Sequence, residues 1–381
     1  MLTVILGLAA TAQQRAAAAS ACALMASARG CGIVSEEEHS MRAAELVSPR
    51  TFRLTDMPIE DPGPGEVQVR IEAVGVCGSD LHAYTEGAVG GTANVYPMLL
   101  GHEPAGAIVK TGAGVTGLAA GDRGALEPAL YCYHCEFCLS GRHNVCANIR
   151  FLSNPHHLGF FRERINLPAV NFRPIPAAMP FDEAALHEPL AIAIHSTRLA
   201  SIRLGESVAV IGAGPIGLLT IAALRAAGAG RIWAVEPLAH RRELARGIGA
   251  EAALEPAEAA EEILRATGQR GVDCAIDCAA GEQTMNQAIQ LACNAGRVVL
   301  TGIHSTPAVS MNGPAMRRKE LTIFNVRRSN HETNLALELL RAHPGWFRPL
   351  LTHTRPLDRI DEAFTIASQY LDGVGKMTIR P

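Results

Sequence analysis

The chain has 381 residues, a formal net charge of −3 and only 19% charged residues, while 48% of its residues are hydrophobic. This length suffices for two domains of ordinary size. Without a large basic field, a nucleic-acid partner is disfavoured. No apolar run reaches the roughly 18 residues that a membrane-spanning helix needs.

Ten cysteines are present, and four of them are crowded between residues 132 and 146. Crowding of this kind favours a metal site over a disulfide framework, so we expect a reducing, cytoplasmic compartment.

Residues 1–40 differ in character from the rest of the chain. A short apolar run, Leu2–Leu8, is followed by alanine-rich sequence. A secretory signal would carry a positive region before its apolar core, and none precedes this run. We interpret the segment as a poorly ordered extension, with the functional protein starting near Met41 and a targeting segment as the alternative.

Residues 41–190 show short alternating apolar segments broken by glycine and proline, which predicts a β-rich domain with long loops. The alternation from Val67 to Ala73 is typical of a half-buried strand. Cys77 follows that strand at a loop-like, glycine-flanked position, and His102 and Glu103 follow farther along.

Cysteine, histidine and carboxylate side chains are the ligands that zinc prefers. Three protein ligands with one open position are typical of a catalytic zinc site, which Cys77, His102 and Glu103 could form. The alternative is a buried thiol and an unrelated surface His-Glu pair.

A second cysteine motif, C-x2-C-x2-C-x7-C, lies at about residues 131–147 of the same domain. Four thiolates within so short a segment can wrap one tetrahedral ion with no open position, which predicts a structural zinc. Its members are Cys132, Cys135, Cys138 and Cys146.

Residues 191–323 alternate regularly between predicted strands and helices. The apolar strand Val208–Ile211 is followed by Gly212-Ala213-Gly214-Pro215-Ile216-Gly217 and then by an apolar helix to about Ala227. In this context the glycines permit a tight turn, approach of a pyrophosphate and close helix packing. The pattern predicts a Rossmann domain.

Glu236 ends the second predicted strand of this domain, about twenty residues after the fingerprint. An acidic residue there binds the ribose 2′-hydroxyl and repels a 2′-phosphate, which favours NAD over NADP. Arg241 and Arg242 lie close enough in the sequence to weaken that preference. From Phe324 to Pro381 the chain no longer alternates regularly between predicted strands and helices. This segment contains a helix-like stretch and a final strand at Lys376–Arg380.

Taken together, these segments resemble the zinc-dependent medium-chain alcohol dehydrogenases, particularly the sorbitol (polyol) and threonine dehydrogenase branch. The resemblance covers about Met41–Pro381. It depends on five motifs in the family's order: Gly75–His82, Gly101–Glu103, the four-cysteine lobe, His187–Ala191 and Gly212–Gly217.

The resemblance implies a mixed α/β protein with a GroES-like β-rich catalytic domain and a Rossmann domain built on a doubly wound parallel sheet. Residues 41–190 would form the catalytic domain, 191–323 the Rossmann domain, and 324–381 a return to the catalytic domain.

The same resemblance assigns roles to individual residues. Cys77, His102 and Glu103 match the catalytic zinc ligands, and Glu188 matches a carboxylate that holds the zinc-bound water or replaces it as a ligand. Ser79 and His82 match a proton relay. Asp80 matches a carboxylate that fixes the ligand histidine. Residues that match positions at the cofactor or substrate are Gly212, Gly214, Pro215, Ile216, Gly217, Glu236, Arg241, Thr301, Gly302, Ile303 and, for the substrate, Arg327.

The reaction implied is hydride transfer from a secondary alcohol of a polyol or sugar derivative to NAD, assisted by one catalytic zinc. A threonine 3-dehydrogenase-like or other diol dehydrogenase is an alternative, as is a zinc-free reductase of the same fold. A catalytically idle NAD-binding protein is an alternative of another class. Relatives are dimers or tetramers, so we expect a homo-oligomer.

One departure from the polyol enzymes concerns the substrate. After Arg327 the chain has Arg328 where a tyrosine is expected. Adjacent arginines can recognise a carboxylate or phosphate by bidentate contacts, so a sugar acid or phosphorylated polyol is an alternative to a neutral polyol. A solvated charged turn would explain the pair equally well.

Overall fold

The computed structural model of the protein describes residues 40–381, apart from Pro155, Glu282 and Pro307. Residues 41–381 form one compact unit. The predicted N-terminal extension, residues 1–40, lies outside the described residues except for Ser40. None of the described helices is long and apolar enough to cross a membrane.

Twelve strands, two short α-helices and two 3₁₀ turns are described before Pro180, in accord with the predicted β-rich domain. The strands are β1 Ser40–Ser48, β2 Thr51–Pro58, β3 Glu66–Gly75, β4 Ala88–Val89, β5 Thr92–Ala93, β6 Met98–Leu99, β7 Glu103–Thr111, β8 Arg123–Leu126, β9 Ala129–Leu130, β10 Arg150–Phe151, β11 Arg164–Pro168 and β12 Phe172–Pro174. Helix α1, Gly78–Glu86, carries candidate site residues, and α2, Glu136–Leu139, lies in the cysteine lobe. This part of the chain also contains two 3₁₀ turns, His143–Val145 and Ala169–Asn171.

The remainder of the chain alternates between helices and strands as far as β18. The strands are β13 Ser207–Ile211, β14 Arg231–Val235, β15 Ala252–Leu254, β16 Val272–Asp277, β17 Ala292–Leu300, β18 Thr322–Asn325, β19 Leu351–Pro356 and β20 Lys376–Arg380. The helices are α3 Phe181–Ala184, α4 His187–Leu199, α5 Pro215–Ala226, α6 Ala239–Ile248, α7 Pro256–Ala266, α8 Thr284–Leu291, α9 Gly313–Lys319, α10 Thr333–Ala342, α11 Pro344–Phe347 and α12 Ile360–Ser368.

The largest sheet of the described residues has the strand order β12-β8-β7-β3-β20-β19, and β11 also pairs with β3. Its last strand in sequence, β20, pairs antiparallel with β3 and parallel with β19. The C-terminal segment therefore returns to the β-rich part of the chain and contributes strands to its central sheet.

Strand β3 is more deeply buried than its alternating pattern predicts. Val67, Val69 and Ile71 are buried as expected, but Gln68 and Val74 are buried too. The two sides of the strand meet different cores: Val74 belongs to the core of the β-rich part, and Ala73 belongs to the core shared with the Rossmann helices. The predicted alternation holds at Arg70, which is exposed between the buried Val69 and Ile71, and fails at Gln68, whose buried side chain donates to the Glu60 carbonyl at 3.0 Å.

The second large sheet is parallel throughout, with the order β15-β14-β13-β16-β17-β18. This is the doubly wound order of a dinucleotide-binding fold, whose ligands bind at the carboxyl ends of the strands where the order reverses. Val208 and Val210 of β13 pack on one face, and Ala209 and Ile211 pack on the other. The predicted fold class is confirmed.

Two predicted domain boundaries fall inside elements. The boundary before Phe324 cuts β18, so the parallel sheet continues to Asn325. The boundary at residues 190 and 191 cuts α4, which packs against both α5 and α10. The apolar residues of α4 are buried both before and after the predicted boundary, so the sequence gives no signal for a boundary within this helix.

The close approach of α5 to β13 depends on Gly217. A Cβ at this position would lie 1.9 Å from the carbonyl oxygen of Gly212. Gly247, in α6, offers a matched control because it is exposed and a Cβ there would meet nothing within 4 Å.

We expect Gly217→Ala to lower the free energy of unfolding by about 1–3 kcal/mol, since the helix must shift to relieve the clash. Gly247→Ala should raise stability slightly, because alanine is the better helix former by about 1 kcal/mol. Thermal unfolding of both variants measures the difference. Equal midpoints for the two would contradict this account of the turn.

Candidate active site

Cys77, His102 and Glu103 come together at one point although 25 residues separate the first from the second. Their ligand atoms all lie within 4.8 Å of one another. Cys77 follows β3, and Glu103 is the first residue of β7, where it pairs directly with Gly75. The pairing of these two strands brings the three side chains together.

Cys77 lies at a loop position, as predicted, and it is the N-cap of α1. Ser79, Asp80 and His82 all lie on that helix. Cys77 and Asp80 form a capping box, in which the Asp80 carboxylate accepts a hydrogen bond from the Cys77 backbone N–H at 3.1 Å.

Asp80 also fastens the second metal-ligand segment to the first. It is buried, and its Oδ1 accepts a hydrogen bond from the Gly101 backbone N–H at 3.3 Å and lies 3.4 Å from His102 Nδ1. Burial opposes its ionisation, but the His102 imidazole and these N–H groups outweigh burial, so the pKa of Asp80 is lowered. With Nδ1 turned towards Asp80, Nε2 is the nitrogen available to a metal.

Glu103 is fully buried, and in the described part of the chain its Oε1 has no hydrogen-bond partner. Its Oε2 forms an ion pair with Lys376, which is itself buried and donates to the Val76 carbonyl at 3.0 Å. A buried carboxylate that lacks partners is costly unless it coordinates a metal. The donor set and this unpartnered oxygen fit a zinc ion.

Sequence reasoning missed two residues that this geometry requires. A Cβ at Gly75 would lie 2.0 Å from Glu103 Oε2, so only glycine leaves room for the carboxylate. Lys376 is the first residue of the final strand, which is buried as far as Ile379, and is only 2% exposed. A lysine at the start of a buried strand was the available signal, since buried lysines are rare unless paired.

Glu188 lies near the amino end of α4 and is 5% exposed. Burial raises its pKa to about 8, with the Glu103 carboxylate contributing in the same direction and His102 opposing. The group of ligand atoms that lie within 4.8 Å of one another contains Glu103 and not Glu188. This favours Glu103 as the inner ligand and leaves Glu188 at a greater distance.

The predicted relay residues reach the same place from α1. Ser79 Oγ lies 3.5 Å from His102 Nε2, the nitrogen that faces the metal position. His82 is one turn farther along the helix, and its Nδ1 lies 2.7 Å from Glu86 Oε1. Both Ser79 and His82 line the main cavity.

The main cavity has a volume of about 1320 Å³ and connects the metal position with the nucleotide fingerprint. This exceeds the volume of a site for one small molecule and accommodates a dinucleotide with a substrate. Of the predicted cofactor residues, those that line it are Gly212, Gly214, Pro215, Ile216, Glu236, Arg241, Thr301, Gly302 and Ile303. Gly217 does not, because it packs beneath the Gly212 carbonyl.

The fingerprint loop has the geometry that its glycines require. Gly212 has a φ of +86°, in the left-handed region, and Gly214 caps α5. Among the described residues, the one atom within 4 Å of a Cβ placed on Gly214 is Arg241 Nη1, at 3.6 Å. The start of α5 is therefore open to a pyrophosphate.

Glu236 directly follows β14 and is buried beside this loop. Its two carboxylate oxygens accept hydrogen bonds from the backbone N–H groups of Ala213 at 2.8 Å and Leu238 at 3.0 Å. Arg242 does not neutralise the carboxylate, since its guanidinium donates to the Glu236 and Pro237 carbonyls. Arg241 alone of the two arginines lines the cavity, where its guanidinium stacks on Tyr370 at 4.7 Å.

The four cysteines of the second motif form a compact group, again with ligand atoms within 4.8 Å of one another. Sulfur atoms of Cys132 and Cys138 are 3.9 Å apart, as are those of Cys135 and Cys146. Four thiolates around one zinc would be about 3.8 Å apart. The His134 backbone N–H lowers the pKa of Cys132 to about 5, which favours the thiolate that a metal binds.

Two family models match the chain in the same order as its two parts. The alcohol dehydrogenase GroES-like domain matches residues 63–177, and the zinc-binding dehydrogenase model matches residues 215–342. Sorbitol dehydrogenase of Bacillus subtilis is 33% identical to the chain over 346 residues, which cover 90% of this chain and 98% of that protein. The chain belongs to the zinc-dependent alcohol dehydrogenase family.

Other members show the range of the family. L-idonate 5-dehydrogenase of Vitis vinifera is 32% identical, over 88% of this chain and 94% of its own. A solved Escherichia coli structure, described as a short chain alcohol dehydrogenase complexed with NADH, superposes with a TM-score of 0.81. It is 28% identical and covers 90% of this chain and 100% of its own.

The two adjacent arginines of the dehydrogenase point differently. Arg327 is exposed, and its carbonyl accepts a hydrogen bond from Asn144 Nδ2 at 2.9 Å. Neither arginine is among the residues that line the main cavity. The exposed Arg327 side chain gives no support for the substrate contact that the family resemblance implies, and that contact stays a prediction. Arg328 turns inward and stacks on Phe151, 4.1 Å from the ring centroid.

The geometry around Glu236 generates a test of cofactor choice. Glu236→Gln keeps an oxygen acceptor for the loop but removes the charge that repels a 2′-phosphate, so the preference for NAD over NADP should fall roughly tenfold. The ratio of kcat/KM for the two cofactors measures this. Glu255→Gln, which removes an exposed carboxylate paired with Arg242, is the matched control, and an equal change in both variants would contradict the assignment.

Proposed function

We propose that this dehydrogenase oxidises a secondary alcohol of a polyol or sugar derivative to the ketone, with NAD as hydride acceptor. The observation that carries the proposal is the Cys77–His102–Glu103 group, with His102 and Glu103 buried, on the same cavity as the dinucleotide fingerprint. Similarity to a sorbitol dehydrogenase over nearly the whole chain supports the polyol branch. It favours this function over the threonine dehydrogenase-like alternative and over an idle NAD-binding protein.

Different residues would hold the metal, position its ligands and contact the nicotinamide in this reaction. Zinc held by Cys77, His102 and Glu103 would supply Lewis acidity towards the substrate hydroxyl. Asp80 and Lys376 hold two of these ligands in place, through His102 and Glu103 respectively. The nicotinamide would lie against Thr301, Gly302 and Ile303, which line the cavity beside the metal position.

The proton of the alcohol needs a route out as hydride leaves carbon. Ser79 Oγ, beside His102 Nε2, is placed to accept that proton. His82 and Glu86 continue the route, since their side chains are joined at 2.7 Å and are both partly exposed. Glu188 contributes a buried carboxyl whose raised pKa suits proton exchange near neutral pH.

Four of the described cysteines are grouped as metal ligands would be, and all the described cysteines are free of disulfides. These observations support a reducing compartment such as the cytoplasm. A homo-oligomer stays a prediction, and the molar mass in solution would test it.

The proposed activity is tested by NAD reduction with the zinc-loaded protein across panels of polyols, sugar acids and amino alcohols. We expect turnover with secondary alcohols of polyols or sugar derivatives and a ketone product by nuclear magnetic resonance. NAD binding without turnover of any alcohol would contradict the proposal and favour a binding protein.

We expect Ser79→Ala to lower kcat by roughly 10²-fold, because the alcohol proton loses its first acceptor. The KM for NAD and the zinc content should stay at their wild-type values, since Ser79 holds neither. Ser79→Thr, which keeps a hydroxyl at the same position, should recover most of the rate. A Ser79→Ala enzyme with the wild-type kcat would exclude Ser79 from the relay.

A further inference from the structure

We propose that the substrate of this dehydrogenase carries an anionic group, a carboxylate or a phosphate, and that Arg328 binds it. The inference rests on the proposed function, and names the substrate class within it. The curated relatives do not decide the matter, since one is named for sorbitol, a neutral polyol, and another for idonate, an acid.

The position of Arg328 relative to the metal ligands is the first support. Its guanidinium lies 4.1 Å from the centroid of the Phe151 ring, and that ring lies 5.5 Å from the His102 imidazole. Phe151 is buried, so one side chain contacts both the arginine and a metal ligand. Arg328 therefore lies one side chain away from the metal ligand His102, behind Phe151.

The guanidinium retains unused hydrogen-bonding capacity. Nη1 of Arg328 is buried and, among the described residues, has no hydrogen-bond partner. Burial lowers the pKa of Arg328 to about 10, with Arg327 acting in the same direction, and the charges of Glu188 and Glu127 only partly oppose this. A partly dehydrated cation with an unpaired N–H is a binding element for an anion.

The backbone at Arg328 is held in an uncommon conformation. Its φ is +52°, in the left-handed region that favours glycine, and such strain persists where the surroundings impose it. The adjacent Ser329 is buried, while Asn330 Nδ2 donates to the Gly141 carbonyl at 2.9 Å. This conformation turns Arg328 inward while Arg327 remains exposed.

The segment that holds this backbone belongs to the cysteine lobe. Asn144 donates to the Arg327 carbonyl, and its own backbone N–H meets Asn330 Oδ1 at 3.4 Å. Asn144 lies two residues before Cys146. The cysteine lobe therefore holds the backbone on both sides of Arg328.

The test compares kcat/KM of the wild-type enzyme for three panels: neutral hexitols, the corresponding hexonates and hexitol phosphates. We expect one of the two anionic panels to exceed the best neutral hexitol by at least roughly tenfold, and the better panel identifies carboxylate or phosphate. Arg328→Met should lower the ratio of anionic to neutral kcat/KM by roughly 10- to 100-fold, mainly through KM. Arg328→Lys, which keeps the charge without the planar fork, should give an intermediate ratio.

Arg327→Met is the matched control, since it removes the same charge from the neighbouring exposed side chain and should change the ratio by less than about twofold. Zinc content and circular dichroism confirm that each variant is folded. A wild-type enzyme that prefers neutral hexitols, a ratio unaffected by Arg328→Met, or a loss confined to Arg327→Met would each overturn the assignment while leaving the proposed function standing. If no compound of the three panels supports NAD reduction by the enzyme, both the proposed function and the role of Arg328 are contradicted.

Discussion

The antiparallel pairing of β3 with β7 is the constraint on which the rest of the site depends. This pairing sets Gly75, the last residue of β3, opposite Glu103, the first residue of β7. Cys77, just after β3, and His102, just before β7, are therefore neighbours. The absence of a side chain at Gly75 is what lets the Glu103 carboxylate occupy that position. Strand β20 pairs with β3 from the other side and brings Lys376 to the same carboxylate. A shift of one residue in this register would turn the ligands to opposite faces of the sheet.

Burial gives this arrangement both its reactivity and its cost. Asp80, Glu103, Glu188 and Lys376 are all nearly inaccessible to solvent. Charges in such a place are stable only when they are paired or coordinate a metal. The ion pair of Glu103 with Lys376 compensates one charge, and a divalent ion would compensate more. Metal binding should therefore stabilise the fold as well as supply chemistry, since an ion that binds only the folded state adds its binding energy to stability.

The parts of the site predicted best from the sequence are those whose residues lie close together in the sequence. The fingerprint from Gly212 to Gly217 and the four cysteines carry their geometry in short spacings, so pattern and structure agree. Residues whose role depends on distant pairing were harder to find: Lys376 acts only because β20 returns to β3, and Gly75 looks like an ordinary turn glycine. The arginine pair shows the same limit. Whether Arg327 or Arg328 faces inward depends on a left-handed φ imposed by contacts with Gly141 and Asn144, which no local pattern encodes.

The central claim is that Cys77, His102 and Glu103 form a catalytic zinc site distinct from the cysteine lobe. Anomalous diffraction at the zinc absorption edge, on crystals of the wild type and of Cys77→Ser, tests it most directly. We predict two peaks per chain in the wild type, one of them about 2.0–2.3 Å from Cys77 Sγ and His102 Nε2. In Cys77→Ser the lobe peak alone should keep its height. A single peak in both proteins, confined to the lobe, would contradict the account.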